Sequence, residues 1–332
     1  TVSDGTDSAT SPNSNTVAIS NTAPTLTGAT LSPAKATVGT TLTCAPVGAS
    51  DVDGDSLSYS YNWYLTRASG SSSSYGPTTG NTFTSAKMVK GDSLVCTVTV
   101  SDGTDKTTSG SSNRVTISNS APTITGATLS PVTAKVGTTL TCAPVGANDA
   151  DGDKLSVTYG WTLTRASGSS TSYGPTTGNT FTSAKMVKGD SLVCMVTVSD
   201  GSASATSGSS NRVTIGNTAP TIRSATLSPT TAKVGTTLTC VAGTTFDADG
   251  DKLSYTYNWA VKFASGSTKT YGPTTGNTFT GTKLVKGDSL ICTATVSDGS
   301  ASVTSSNSNT VTISNTAPTL TGATLSPAKA TV

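Results

Sequence analysis

The 332-residue chain is 33% hydrophobic, 11% charged and 5% aromatic, carries a formal net charge of +2, and contains no histidine, glutamate or glutamine. Without imidazole there is no Ser-His-Asp or Cys-His arrangement, no histidine-ligated zinc and no side chain whose unperturbed pKa lies near neutrality, so an enzyme is not expected. The basic residues are scattered singly, unlike a nucleic-acid binder, and no apolar run approaches the roughly 20 residues of a membrane-crossing helix, so neither partner is expected.

In chain order, residues 1–20 match residues 99–118, which predicts the C-terminal strands of a preceding repeat. Thr/Ser-Ala-Pro then recurs at Pro24, Pro122, Pro220 and Pro318, a constant step of 98 residues. Cys44, Cys142 and Cys240, then Trp63, Trp161 and Trp259, then Cys96, Cys194 and Cys292 keep the same step. Three complete repeats are therefore expected at 21–118, 119–216 and 217–314. Residues 315–332 copy 21–38 letter for letter and predict the first strand of a following repeat, so the chain reads as a window onto a longer array. Within the first copy, Leu42 and Cys44 share one parity in the segment 41–47, which predicts a half-buried strand. Next comes Asp51-Val52-Asp53-Gly54-Asp55, then a core strand in which Leu57, Tyr59, Tyr61, Trp63 and Leu65 face one way and Ser58, Ser60, Asn62 and Tyr64 the other. Tyr75-Gly76-Pro77 predicts a turn, Leu94, Cys96, Val98 and Val100 a strand ending at the Asp102-Gly103 turn, and 114–118 a last strand.

About seven strands in 98 residues, with tryptophan 19 residues after the first cysteine, predict an all-β chain of tandem immunoglobulin-like (Ig-like) β-sandwiches in a linear rod. Two cysteines per copy, 52 apart with facing parity, fit a cross-sheet disulfide; buried free thiols and bridges between chains are the alternatives. Oxidised cysteines imply an extracellular or cell-surface location. The motifs Asn-Thr-Ala-Pro, Thr-Leu-Thr-Cys, Asp-x-Asp-Gly-Asp-x-Leu-Ser, Tyr-Asn-Trp, Lys-Gly-Asp-Ser-Leu-x-Cys and Val-Ser-Asp-Gly resemble those of bacterial tandem Ig-like and PKD-like repeats of large extracellular surface proteins. The position two before the second cysteine is Leu94, Leu192 or Leu290, where antibody-type domains carry a corner tyrosine.

The sharpest chemical candidates are the loops Asp51, Asp53, Asp55; Asp149, Asp151, Asp153; and Asp247, Asp249, Asp251. Three carboxylates within five residues repel, and a hard divalent cation such as calcium relieves the cost. The competing reading has these aspartates bonding local backbone amides in a solvated turn, and the resemblance favours calcium. Arg67, Arg165 and the Tyr75, Tyr173 and Tyr271 segments are candidates for a sugar surface. Tyr64, Val95 and Met195 are outward candidates for meeting a second chain, and 70–74 and 109–112 are candidate acceptors of O-linked sugar. The expected function is a structural component of an extracellular bacterial fibre, stalk or surface filament, with lateral or end-to-end self-association. The alternative is a calcium-dependent adhesin for glycans or another cell surface.

Overall fold

A computed structural model describes residues 1–84, 88–182 and 185–324. Among these the chain is all-β, with no α-helix. No helix is long and apolar enough to cross a membrane. The chain divides into two compact units. The first holds Thr1–Thr125, Gly146–Val157 and Thr197–Thr206, and the second the remainder.

In the first unit, β1 (Val2–Ser3) and β2 (Ser8–Ala9) pair as a small antiparallel hairpin. The first copy follows with β3 (Gly28–Ser32), β4 (Thr41–Val47), β5 (Ser58–Thr66), β6 (Ser72–Thr78), β7 (Thr82–Thr84), β8 (Ser93–Ser101), β9 (Lys106–Thr108) and β10 (Val115–Thr116). One sheet runs β3-β4-β7; the other runs β10-β8-β5-β6 with β9 also on β8. Alternation drives Leu31, Leu42 and Cys44 from the first sheet into one cluster with Tyr61, Trp63, Leu65, Leu94, Cys96 and Val98 from the second. Two sheets sharing an apolar core, joined by Cys44–Cys96 with Cα atoms 6.3 Å apart, make an Ig-like sandwich.

The middle copy contains β11 (Gly126–Ser130), β12 (Thr139–Val145), β13 (Ser156–Thr164), β14 (Ser170–Thr176), β15 (Thr180–Thr182), β16 (Ser191–Ser199), β17 (Ser204–Thr206) and β18 (Val213–Thr214). In the second unit β11-β12-β15 form one sheet, β13 pairs with β14, and Cys142–Cys194 is bridged.

The third copy contains β19 (Thr221–Ile222), β20 (Thr226–Ser228), β21 (Ala232–Lys233), β22 (Thr237–Val241), β23 (Thr245–Phe246), β24 (Ser254–Lys262), β25 (Thr268–Thr274), β26 (Thr278–Thr280), β27 (Ser289–Ser297), β28 (Ser302–Thr304) and β29 (Val311–Ser314). Its two larger sheets are β20-β22-β26 and β21-β29-β27-β24-β25 with β28 also on β27, stapled by Cys240–Cys292, and β19 pairs with β23. The predicted first strand after residue 314 corresponds to 322–326, of which 325 and 326 lie outside the described residues; 315–324 carry no strand.

Three local expectations change. The Tyr-Gly-Pro segment is not a turn but strand β6, which pairs with β5 around a register shift between Tyr61 and Trp63. The last strand of the first copy shrinks to Val115–Thr116, because the chain beyond it leaves that ladder and Ile117 bridges parallel to Ala36 instead. Ser109 Oγ accepts the amide of Val98 at 3.0 Å and Ser112 Oγ that of Cys96 at 3.0 Å. These two serines are buried and fully engaged, so they are not sugar acceptors, whereas 71–74 are exposed apart from the tyrosine that follows.

Candidate functional site

The three predicted aspartate loops lie beside the linkers that enter each copy. Thr25 and Ser50 form a bridge in which each amide meets the other's carbonyl, at 2.7 and 3.1 Å, so linker and loop are fastened together. Asp51 Oδ1 accepts the amides of Asp53 at 2.8 Å and Asp55 at 3.3 Å, closing an Asx-type turn. Gly54, Gly152 and Gly250 take φ of 83°, 78° and 78°, a left-handed conformation that a side chain resists even though nothing crowds the position. Asp53 Oδ2 then receives the linker amide of Thr22 at 2.6 Å; Asp151 and Asp249 do the same for Ser120 at 2.6 Å and Thr218 at 2.5 Å.

Both readings of these loops thus have a physical basis. One oxygen of each first aspartate is spent on backbone amides. The other, Asp51 Oδ2, Asp149 Oδ2 or Asp247 Oδ2, is buried with no hydrogen-bond partner. In each loop the three carboxylates bring one oxygen apiece within 4.8 Å of one another.

The structure adds residues that the sequence reading did not single out. In the first unit Asn119 donates its amide to Asp200 Oδ2 at 2.9 Å, and Lys90 from the first copy donates to Asn119 Oδ1 at 3.0 Å and to Asp153 Oδ2. The second unit repeats this at the next junction: Asn217 to Asp298 Oδ2 at 2.8 Å, Lys188 to Asn217 Oδ1 at 2.9 Å and to Asp251 Oδ2 at 2.6 Å. Asn21 similarly donates to Asp102 at 3.0 Å and Asp105 at 2.9 Å. The 98-residue step was the available signal, since Lys90 and Lys188, and Asp102, Asp200 and Asp298, recur with it inside the Lys-Gly-Asp and Ser-Asp-Gly motifs. Their meeting across a junction has no sequence signature.

Each of these two junctions sets three carboxylates around one ammonium. The bond to Asp153 raises the pKa of Lys90 above its ordinary value, with further attraction from Asp151 and Asp200; Lys188 is raised likewise by Asp251. The linker asparagine and the turn's backbone amides hold Asp102 and Asp200 below the ordinary carboxylate range and bring Asp298 down to about 2. Oxygen donors, excess negative charge and an unpartnered buried oxygen are the chemistry that a hard divalent cation satisfies.

Elsewhere, Arg67 and Arg165 are not free to build a sugar platform, because each guanidinium lies 2.7 Å from a buried carboxylate, Asp92 or Asp190. Tyr75, Tyr173 and Tyr271 are half-buried, with ring centroids 5.5, 5.4 and 5.3 Å from Phe83, Phe181 and Phe279. Tyr64 and Met195 are exposed, and Val95 is half-buried.

No protein-family model matches the chain, and no curated protein matches it. Among solved structures it is similar to chicken CNTN1 FN1–FN3 domains, at 9% identity and a TM-score of 0.28 over 89% of this chain and 100% of that one. It is also similar to domains A168–A170 from titin, at 10% identity and a TM-score of 0.27 over 88% of this chain and 99% of that one. The Ig-like assignment rests on the paired sheets, the cystine between them and the tryptophan beside it.

Proposed function

We propose that the chain is a structural segment of an extracellular bacterial fibre, stalk or surface filament, built from disulfide-stapled Ig-like repeats whose junctions are reinforced by calcium. The observation that carries this reading is the junction itself, where a lysine of one copy, a linker asparagine and aspartates of the next form the same bonds twice. A spacer needs its units held at short linkers, and these contacts fasten the linker on both sides. Three intradomain cystines fit an oxidising compartment. The calcium part is supported by the unpartnered oxygens of Asp51, Asp149 and Asp247, with the two neighbouring aspartates of each loop as further ligands. An adhesin requires an exposed platform in every copy, and the packed tyrosines favour the spacer over it.

Calorimetry of the chain with calcium and then with chelator tests the metal: a higher melting temperature with calcium is expected. An identical curve in both conditions would reduce the aspartate loops to self-contained turns. Electron microscopy of full-length material tests the architecture, with beaded strands or bundles of strands expected and compact particles counting against a filament.

A further inference from the structure

The third copy departs from the other two around a cavity, most sharply where it carries Phe263 in place of Arg67 and Arg165. In the first copy Arg67 NH1 reaches Asp92 Oδ2 at 2.7 Å; in the second Arg165 NH1 reaches Asp190 Oδ2 at 2.7 Å and also the carbonyl of Lys185 at 2.8 Å. The arginine therefore spans from the hairpin to the following loop. In the third copy the residue is Phe263. The backbone is unchanged, since Phe263 N still bonds Ser267 O at 2.8 Å as Arg67 N bonds Ser71 O at 2.7 Å. The buried carboxylate also remains in place, with Asp288 accepting the amides of Ala264 and Val285 at 2.9 Å each. A phenyl ring cannot bond the loop carbonyl, and beside it lies a cavity of about 320 Å³, at the lower end of the roughly 300–1,000 Å³ typical of small-ligand sites.

Its walls are the rings of Phe263, Tyr271 and Phe279 and the side chain of Leu284, with Lys269 and Lys283 completing the lining. Lys269 stands where the other copies have Ser73 and Thr171, and its ammonium lies 5.1 Å from the centre of the Tyr271 ring. No carboxylate is part of the lining, and Asp288 is buried away from it with both oxygens on backbone amides. We infer that this cavity binds a flat aromatic anion, its ring among the three aromatic side chains and its charge at the two lysines. Aromatic walls offer a flat ring stacking and edge contacts, and the excess of positive charge selects an anion over a cation of the same shape.

The test is titration of the whole chain with 2-naphthalenesulfonate, followed by fluorescence and by amide shifts. Saturation at one equivalent per chain is expected, with shifts confined to the third copy. Phe263→Arg restores the residue of the other copies and supplies Asp288 with an ion-pair partner, so the variant folds and is expected to lose the saturable site. Lys269→Thr is expected to weaken the sulfonate about tenfold while leaving 2-naphthol nearly unchanged. Three equivalents per chain, no saturation, indifference to Phe263→Arg, or tighter binding of 2-naphthylmethylammonium would each overturn the inference.

Discussion

Asn113 does the work of a missing stretch of strand. Its Oδ1 accepts the amide of Leu31 at 2.8 Å and its Nδ2 donates to the carbonyl of the same residue at 2.9 Å, so one side chain satisfies both polar groups of an edge residue. Asn211 and Asn309 repeat the pair at Leu129 and Leu227. Removing the side chain leaves a backbone amide and carbonyl without partners, at about 1–2 kcal/mol. Asn113→Ala is therefore expected to speed hydrogen exchange at the Leu31 amide about tenfold, with Asn113→Asp keeping the accepted bond and losing the donated one. A rate unchanged by either substitution would show that solvent serves Leu31 equally well. The role of these residues was not legible in the sequence, because an asparagine bonding to backbone has no strand alternation and no charge partner to betray it, and the 98-residue step repeats it along with everything else. The tryptophans were legible, since Trp63 alternates in phase with Tyr61 and Leu65 and all three are buried.

Among the elements, the strand predicted at 41–47 is β4 to the residue, because Leu42 and Cys44 fix both parity and depth. The segments that misled are those where backbone bonds go to side chains, at Ser109 and Ser112, or where a glycine lets a strand shift register, at Gly76 with φ of 119°. The junction has its own pH behaviour. Lys90 and Lys188 have raised pKa values, so their contribution is complete below the ordinary lysine value of 10.5 and is lost as pH rises through the higher folded values. Asp200 and Asp298 have lowered values, so theirs is present above the ordinary 3.8 and is lost as pH falls toward the folded value, about 2 for Asp298. Protection of the Ser120 and Thr218 amides against exchange, corrected for intrinsic rate, is thus expected to hold a plateau between about pH 4 and 10 and to fall on either side. Lys188→Met should abolish the alkaline edge at Thr218 alone and reduce its plateau protection a few-fold. Loss of protection at both amides from that single change would mean that the junctions are not independent.

For the molecule as a whole, composition and the 98-residue step carried most of what was legible: an all-β chain, three copies, and cystines in facing strands. The aspartate loops were legible as acidic clusters, but the lysine and asparagine that complete them come from a neighbouring copy and a linker, which spacing along one copy does not reveal. Each cystine closes a span of 52 residues, for which the chain-entropy estimate is about 4 kcal/mol. Reduction under native conditions is therefore expected to lower every melting transition in a scanning calorimeter. A transition that survives reduction unshifted would assign that copy's stability to its core alone. The cystine also has a mechanical consequence. In the first copy the chain leaves through Ile117, which lies parallel to Ala36, and Ser118 bonds the Ala36 carbonyl through both its amide at 2.8 Å and its hydroxyl at 2.9 Å. Tension applied to the two ends of the copy loads these parallel contacts in shear, so they yield together rather than unzipping singly. Once they yield, the residues enclosed by Cys44–Cys96 stay closed, and only about 46 residues are left to lengthen, roughly 150 Å of extended chain. In the proposed stalk this copy would thus act as a shock absorber with a hard stop, giving a limited length under load and keeping its core strands cross-linked for refolding when the load is released.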